Sequence, residues 1–405
     1  MTRTDATMAR RESLLGLLAA ATFLVFFQAF MVAPLLPRLA VLFHVSVEQI
    51  GLIVPAYLLP YGLATLAYGP LSDRFGRERV ILPSLLAFIV LTALTATAWS
   101  WSSLFILRLI TGLGASGVVP IALALIGDLF PFRERGRPLG WLFGAMAGGM
   151  AFGSSAGVML EPYITWRGLF LGVAVAGAAV FLLLLLLRSL LAGTAGGVAA
   201  GYRQVLGGYR SLLSAGRGQR TYGYVLLNAV FHSGVFTWLG WYFSRRYGLG
   251  GIAIGLALLG YGVPGLLFGP LIGRAADRWG RSRLLPLGLA IAGASVAALA
   301  LPLPVVLAAL FVTSLSLGYD MTQPLLAGIV TDLGPNRGQA MGLNVFTLFV
   351  GFGLGSLVFA AALGLGLDAA LVLFAVVALL AATAAVRLFR DERQRQAPAA
   401  APVRP

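Results

Sequence analysis

Few ionisable side chains fall inside the long apolar stretches of this sequence, and each is a candidate for chemistry. Asp320 is the one carboxylate well inside such a stretch, because Glu48, Glu161 and Asp368 lie near stretch ends. An ionised side chain at the centre of a bilayer costs roughly 2.5–3.5 kcal/mol on insertion scales. We interpret Asp320 as a proton carrier. The alternative is a structural aspartate that caps a helix break near Gly318 or pairs with a loop arginine.

Arg108 and His232 are the other two candidates for proton coupling. A buried arginine needs a carboxylate or free carbonyl groups as partners, so Arg108 fits either a structural pairing or a part in coupling. His232 is of the residue type that titrates near neutrality, which suits a proton relay. A merely hydrogen-bonded histidine is the alternative.

Further polar and aromatic side chains within the apolar stretches are candidates to line a solute cavity: Gln28, Tyr57, Asn228, Trp238, Tyr261, Gln323 and Asn344. Packing, or a belt at the membrane interface, is the alternative for the aromatic ones. Because so few charges are present, we expect such a cavity to favour neutral or lipophilic-cation solutes over polyanions.

Several kinds of chemistry have no support in the sequence. The chain has no cysteine, which excludes disulfides, thiolate catalysis and cysteine-ligated metal. No phosphate-binding loop follows a strand, no paired histidines offer a metal site, and no Ser-His-acid set is present at a plausible site. We therefore expect no enzyme activity, metal or cofactor, and a proton gradient as the source of energy.

The elements that position these residues follow from composition. Of the 405 residues, 59% are hydrophobic and 11% are charged, and the mean hydropathy is +0.91. A soluble domain carries about 25% charged residues. Apolar runs of about 20 residues, long enough to cross a hydrocarbon core of about 30 Å, recur along the chain. Without strict alternation these runs predict transmembrane helices, so the fold class is an all-α membrane protein.

We count twelve predicted spans, six in each half, which define two six-helix bundles over residues 1–188 and 221–390. The spans cover residues 13–36, 48–70, 79–99, 102–126, 137–160, 166–188, 221–244, 252–273, 283–301, 304–330, 338–361 and 367–388. Between the halves, residues 189–220 predict a cytoplasmic linker with an interfacial amphipathic helix, or alternatively a regulatory or partner-binding segment. Residues 391–405 predict a disordered cytoplasmic tail.

The net charge of +15 would suggest nucleic acid if it lay on a soluble face, but the arginines lie in loops. Arg38, Arg167, Arg245 and Arg246 lie on one side of the predicted membrane, and Arg108 lies within a span. The remaining arginines lie at the termini and in the even-numbered loops. This positive-inside pattern predicts a bacterial inner-membrane protein with both termini cytoplasmic. We expect lipid, protons and a small solute as partners, no nucleic acid, and a monomer.

The two halves repeat each other at an offset of 204 residues, which pairs Gly51 with Gly255 and Tyr57 with Tyr261. The offset also pairs Gln28 with His232, so both are expected to face a central cavity. Asp320 has no acidic counterpart, because Ser116 occupies the matching position. Parallel six-helix repeats are typical of transporters that hold their solute near the middle of the membrane, between the halves.

The segment from Gly69 to Arg79 (GPLSDRFGRER) resembles the signature loop of the major facilitator superfamily, and residues 273–283 repeat it. Residues 104–114, with Arg108 and Gly112, resemble the superfamily's motif in span 4, and residues 166–170 resemble its start of span 6. The stretch 28–40 resembles the drug:proton antiporter branch. That branch carries a Gly-Pro pair in span 5, whereas Ser154 follows Gly153 here.

The resemblance implies a gating motif in each half. Its residues are Gly69, Asp73, Arg74, Gly76, Arg77 and Asp128, repeated as Gly273, Asp277, Arg278, Gly280, Arg281 and Asp332. We expect Gly69 to allow close helix approach. We also expect the arginines to pair with Asp128 and thereby latch one side of the protein. The alternative is that these charges only anchor the loops at the interface.

Together these features predict a secondary transporter that exports small or amphipathic, drug-type solutes against proton entry by alternating access. A proton symporter or uniporter that imports a metabolite is the alternative, and the missing proline after Gly153 keeps it open. A non-transporting membrane receptor or enzyme on the same scaffold is a remote third possibility.

Overall fold

The computed structural model describes residues 3–130, 136–192, 202–334 and 337–392, and these form helices joined by short connections. The helices of the first half are α1 (Arg3–Phe30), α2 (Leu36–Phe43), α3 (Val47–Gly51), α4 (Ile53–Phe75), α5 (Arg77–Thr95), α6 (Trp101–Ala115), α7 (Val118–Leu129), α8 (Gly136–Leu186) and α9 (Arg188–Ala192). A helix α10 (Tyr202–Ser214) precedes the second half.

The second half repeats this order with α11 (Gly216–Tyr247), α12 (Gly251–Leu258), α13 (Val263–Trp279), α14 (Arg281–Leu299), α15 (Val305–Val330), α16 (Arg337–Ala362) and α17 (Leu367–Leu388). The predicted repeat has a backbone counterpart at Gly76 and Gly280, which have φ angles of 94° and 84°. Each residue separates two consecutive helices in the same position of its half. Glycine adopts such positive φ angles without the penalty that a Cβ imposes.

Nine helical stretches within the described ranges are long and apolar enough to cross a membrane. One of them, residues 137–186, is 50 residues long. At 1.5 Å per residue it would reach about 75 Å, more than twice the hydrocarbon thickness of about 30 Å. It breaks at Thr165, where φ is 61° and ψ is 163°, and therefore supplies the fifth and sixth spans.

The seventh and eighth predicted spans do not reach the same apolar length. Helix α11 is 32 residues long, but it begins with Arg217 and Arg220 and carries Asn228 and His232 in its middle. The eighth span is divided into α12 and α13 by a turn in which Gly262 has a φ of 79°. Polar side chains and a broken backbone are tolerated at membrane depth where protein covers them or where they line a water-filled cavity.

The two halves contact each other at the centre and on one side of the bundle. We call the side that carries the start of α1 and the end of α17 the terminal side, and the opposite one the far side. On the far side, a Cβ at Gly240 would lie 2.7 Å from the Cα of Pro34, and one at Gly51 would lie 2.8 Å from the Trp238 ring. On the terminal side, a Cβ at Gly69 would meet no atom within 4 Å. The structure is therefore closed on the far side.

Two segments outside the spans pack onto the terminal side of the second half. From α10, Leu212 is buried in a cluster with Tyr222, Val330 and Leu343, whereas Leu206 is exposed. The described chain also continues past α17 to Glu392, which is buried. The rest of the predicted tail, residues 393–405, lies outside the described residues.

Candidate functional site

The centre of the first half is built around Arg108 on α6, whose side chain is fully buried. Its Nη1 donates to Gln28 Oε1 on α1 at 2.8 Å, and its Nε donates to the Ile53 carbonyl at 3.3 Å. The guanidinium carbon lies 4.3 Å from the ring centroid of Tyr57, which is a cation–π contact. Carbonyl, amide and ring electrons thus replace water around the guanidinium. Among the described residues no carboxylate forms an ion pair with it.

The centre of the second half places His232 on α11 between two tyrosines. The hydroxyl of Tyr261 is hydrogen-bonded to His232 Nε2. The Tyr319 ring stacks on the imidazole at a centroid distance of 3.7 Å. Next to Tyr319 on α15, Asp320 Oδ2 accepts a hydrogen bond of 3.2 Å from Ser316. The Asp320 carboxyl also lies against Gly265, where a Cβ would come 2.8 Å from its Cγ.

Aromatic rings from both halves meet between these two centres. Tyr61 on α4 stacks on Phe349 of α16 at 4.1 Å, and Phe30 on α1 lies 6.0 Å from Phe352. We call this set of rings the aromatic layer. Phe352 in turn lies 6.1 Å from the His232 ring, so the layer connects the polar centres of the two halves.

Most of the predicted cavity and coupling residues carry a buried polar atom without a hydrogen-bond partner. These atoms are Gln28 Nε2, Tyr57 Oη, Asn228 Nδ2, His232 Nδ1, Gln323 Oε1 and Asn344 Oδ1, together with Tyr61 Oη. Side-chain atoms of Thr22, Thr92, Ser155, Arg220 and Ser282 share this property elsewhere in the described residues. More than 90% of buried backbone polar groups, and most buried side-chain ones, are paired in folded proteins. Unpaired atoms at Gln28, Tyr57 and His232 lie within the two centres described above and indicate places where another molecule supplies the missing partners. The other predicted positions with unpaired atoms lie on α11 (Asn228), α15 (Gln323) and α16 (Asn344).

Trp238 was predicted to line a cavity but is enclosed by protein. Its Nε1 donates to the Ser356 carbonyl at 3.2 Å, and its ring fills the space beside Gly51. It therefore belongs to the far-side contact between the halves. Trp238 therefore has a packing role in this structure, which is the alternative given above for the aromatic side chains.

The first copy of the gating motif lies at the terminal ends of α4, α5 and α7. Arg77 is central to it. Its side chain pairs with Asp73, its Nε donates to Asp128 at 3.0 Å, and its Nη1 donates to Ser72 at 2.6 Å. Arg74 is exposed and lies over the ring of Phe75. The expected pairing with Asp128 is therefore present, through Arg77.

The second copy repeats the first where the structure describes it. Arg281 at the start of α14 lies 3.5 Å from Asp332, which matches the pair of Arg77 with Asp128. Arg278, in the last turn of α13, is exposed. Gly273 and Asp277 lie on α13, but their side-chain environments are outside the described residues.

One expectation about the gating motif needs correction. Close helix approach at Gly69 is wrong for this arrangement of helices, because a Cβ there would meet no neighbour within 4 Å. The pairs of Arg77 and Arg281 each lie within one half. Across the described ranges, each ion pair connects residues of one half only. In this structure the motif braces each half internally.

Several central residues were absent from the sequence-based candidates. Tyr61 lies one helical turn after Tyr57, and Ser316 lies one turn before Asp320. Spacing of four residues places side chains on the same face of a helix, so this signal was readable in the sequence. The phenylalanines of the aromatic layer carry no such signal, because apolar helices are rich in this residue type.

Comparison with known proteins places these features in a family. The family model of the Major Facilitator Superfamily matches residues 18–334 and 222–404. An uncharacterized MFS-type transporter of Bacillus subtilis (strain 168), YceJ, is 31% identical over 334 residues, which cover 81% of this chain and 83% of that protein. Multidrug resistance protein 3 of the same organism is 31% identical over 141 residues, 34% of this chain and 27% of that protein.

Solved structures share the fold at low sequence identity. A POT family transporter has a TM-score of 0.77 and is 15% identical, covering 95% of this chain and 96% of its own. A D-xylose-proton symporter has a TM-score of 0.71 and is 18% identical, covering 92% and 96%. These likenesses confirm the predicted fold of two six-helix bundles and a chain that crosses the membrane many times. The helices, the repeated loop motif and the family match together establish that this chain belongs to the major facilitator superfamily of membrane transporters, which are not enzymes.

Proposed function

We propose that this transporter couples proton entry to the export of small or amphipathic solutes by alternating access. The observation that carries the proposal is the position of Asp320. It is the one carboxylate of the described residues that lies at the centre of the bundle, in contact with Ser316 and Gly265. It follows Tyr319, whose ring stacks on His232, and the Nδ1 atom of His232 is buried without a hydrogen-bond partner.

Protonation of Asp320 removes its charge, so the proton-loaded and the proton-free transporter differ in the cost of enclosing this side chain. That difference can link proton entry to the rocking of the two halves. One proton that crosses a potential of 100 mV provides about 2.3 kcal/mol. His232, hydrogen-bonded to Tyr261, would relay the proton. Arg108 would take part in coupling from the first half. A partial match to a multidrug resistance protein supports export of amphipathic solutes.

The gating motifs contribute by keeping each half rigid. Arg77, Asp73 and Asp128 tie the ends of three helices together, and Arg281 with Asp332 ties the matching ends in the second half. Rocking then moves two bodies about the aromatic layer between them. From the distribution of the arginines we place the chain in a bacterial inner membrane, with the terminal side cytoplasmic.

Proteoliposomes with an imposed pH gradient test this proposal. The substrate panel comprises naphthalenesulfonate, naphthalenesulfonamide and a naphthyltrimethylammonium salt, which share a ring system and differ in charge. We expect the gradient to drive flux of at least one probe, and Asp320→Asn to remove the dependence on the gradient. Asp368→Asn is the matched control, because Asp368 pairs with Arg246 and its carboxylate is 62% exposed. Two results contradict the proposal. One is wild-type flux that does not depend on the pH gradient, and the other is Asp320→Asn flux that depends on the gradient as in the wild type.

Import of a metabolite by proton symport is the second candidate. The observation that favours it is Ser154, which stands where the drug:proton antiporter branch carries a proline. The Ser154 hydroxyl donates to the Ala151 carbonyl within the continuous part of α8. Symport predicts that the probe and protons move in the same direction in the same vesicles, whereas antiport predicts opposite directions.

A further inference from the structure

The first half carries a buried positive charge that no part of the described protein neutralises. Arg108 is 0% exposed, and its guanidinium contacts the side chains of Gln28 and Tyr57 and the carbonyls of Ile53, Gln28 and Ala29. All of these are neutral. Removing an ionised group from water without an opposite charge is costly, and folded proteins pair such groups or bind an ion there.

The polar atoms around Arg108 that remain unpaired are suited to donate hydrogen bonds. The Oε1 atom of Gln28 accepts from Arg108, and the Nε2 atom of the same amide is unpaired. The hydroxyls of Tyr57 and Tyr61, on the neighbouring helix α4, are also buried and unpaired. An amide nitrogen only donates and a phenol can donate, so this cluster offers one positive charge and several donors. The partner that satisfies all of them is an oxyanion.

The surroundings of this cluster are aromatic. Tyr61 stacks on Phe349, and Phe26 lies 5.8 Å from the same ring. Phe30 contacts Phe236 at 5.5 Å across the halves. These contacts join rings of opposite halves, so separating the halves would uncover ring faces directly beside the donor cluster. Such faces accept an aromatic or apolar body.

The charge is specific to the first half. At the repeat offset of 204, Arg108 corresponds to Val312, which is also fully buried. Asp320 corresponds to Ser116 in the same way. The first half therefore carries the cation and the second half carries the carboxylate, and each can serve a different ligand.

We infer that Arg108, Gln28, Tyr57 and Tyr61 form the subsite for the head group of an amphipathic organic anion, a carboxylate or sulfonate on an aromatic body. This rests on the proposed function in that the subsite belongs to the transport site. It assigns the proton to Asp320 and the solute's negative charge to Arg108, so Arg108 takes part in coupling by binding the solute and carries no proton. It also replaces the expectation from composition that neutral or cationic solutes are favoured.

Equilibrium binding to the full chain in lipid nanodiscs tests the inference without a pH gradient. The probes are the naphthalene sulfonate, sulfonamide and trimethylammonium compounds, measured by isothermal titration calorimetry. We expect the sulfonate to bind at least about tenfold more tightly than the other two, which corresponds to 1.4 kcal/mol or more. Equal binding of the sulfonate and sulfonamide overturns the inference, as does preference for the cation or no binding of the sulfonate.

Substitution of Gln28 by glutamate provides the sharper variant. Gln28→Glu places a carboxylate where an amide oxygen lies 2.8 Å from Arg108 Nη1, so it supplies the missing anion from within the protein. We expect sulfonate binding to weaken at least about tenfold while sulfonamide binding changes little, with no loss of thermal stability. Undiminished sulfonate binding by Gln28→Glu overturns the inference.

Arg108→Gln should remove the preference for the anion, and Arg167→Gln is its matched control. Arg167 likewise lies over an aromatic ring, Trp166 at 4.4 Å, and donates to a backbone carbonyl, but it lies outside the centre. If Arg108→Gln does not fold, the wild-type probe series and Gln28→Glu still decide the question. Failure of proton coupling would appear as flux independent of the gradient with anion binding intact, so the two proposals fail separately.

Discussion

At the scale of single residues, the two halves of this transporter differ where their repeat predicts identity. Arg108 corresponds to Val312, and Asp320 corresponds to Ser116. The Ser116 hydroxyl donates to the Leu113 carbonyl of its own helix, at 2.8 Å, whereas Asp320 accepts from Ser316. At the centre of the described residues, the first half thus holds the cation Arg108 and the second half holds the carboxylate Asp320.

Gly265 holds the Asp320 carboxyl in place, and its substitution gives a prediction at this scale. In Gly265→Ala the new Cβ would come 2.8 Å from Asp320 Cγ and would force the carboxyl to rotate away from Ser316. Overpacking of a filled core costs about 1–3 kcal/mol. We expect flux driven by the pH gradient to fall about tenfold, while the protein still folds, as measured by transport and thermal unfolding.

Gly172→Ala is the control for that substitution, because a Cβ at Gly172 meets no atom within 4 Å. It should leave transport unchanged. If Gly265→Ala also retains full gradient-driven flux, the position of the Asp320 carboxyl does not matter for coupling.

At the scale of elements, a buried ion cluster joins the end of α17 to the start of α11. Glu392 accepts hydrogen bonds from Arg217 at 2.8 and 2.9 Å and from Arg220 at 2.5 Å, and its side chain is 4% exposed. Arg217 also donates to the Asp332 carbonyl, so the loop after α15 is included. Burial by itself raises the pKa of Glu392, but the hydrogen bonds and charges of the two arginines outweigh it and lower the pKa overall.

This lowered pKa predicts how stability depends on pH. Because the folded-state pKa of Glu392 lies below the unfolded value, its stabilisation is complete above the ordinary glutamate pKa of about 4.3. It is lost as the pH falls through the lower folded-state value. At neutral pH, Glu392→Gln should destabilise the protein by about 3 kcal/mol, the low end for breaking a buried pair. The difference from wild type should shrink on acidification, as measured by thermal unfolding in detergent.

Asp368→Asn serves as the exposed comparison, because surface ion pairs contribute about 0–1 kcal/mol. A stability difference between Glu392→Gln and wild type that persists undiminished at acidic pH would rule out the ion cluster as its cause.

At the scale of the whole molecule, the ion pairs hold each half together and aromatic stacking joins the halves. The far side is closed by contacts such as Gly240 against Pro34, while Gly69 on the terminal side has no close neighbour. A groove of about 450 Å³ lies on the far side between the two halves, with Val41 and Ser244 on its walls. Contacts without charge can separate and reform when the halves rock, whereas the charged braces stay intact within each half.

The distance across this groove reports the rocking motion. The chain has no native cysteine, so spin labels at Val41→Cys and Ser244→Cys attach without background. We expect two distance populations by double electron–electron resonance, with the shorter one corresponding to this structure. Asp73→Asn removes one partner of Arg77 and weakens the brace on the terminal side. When the terminal side closes, the ends of α4, α5 and α7 must pack as one rigid surface against the second half, and a weakened brace disfavours that state. The share of the shorter distance should therefore rise several-fold.

Glu78→Gln removes a charge from the same loop and is the control. If Asp73→Asn and Glu78→Gln give the same distance distribution, the motif anchors the loop and has no gating role.

The sequence by itself determined that the chain is helical, crosses the membrane many times and belongs to this family. Apolar runs of about 20 residues must be helices in lipid because every backbone group needs a partner within its own segment. The repeat at 204 residues predicted matching positions, and Gly76 and Gly280 confirm it with nearly equal φ angles. It also identified Asp320, Arg108 and His232, because charge inside an apolar run is visible without any structure.

Only the tertiary structure decided which of these residues meet. Arg108 lies 80 residues from Gln28 and 55 from Ile53 in the chain, so helix packing alone brings them into contact. The tertiary structure also decided that Trp238 packs against Gly51 on the far side and that Gly69 has no close neighbour. Helical periodicity fixes the neighbours of a residue on its own helix, whereas contacts between apolar helices depend on how side chains of similar chemistry interlock. Such packing leaves little trace in the sequence.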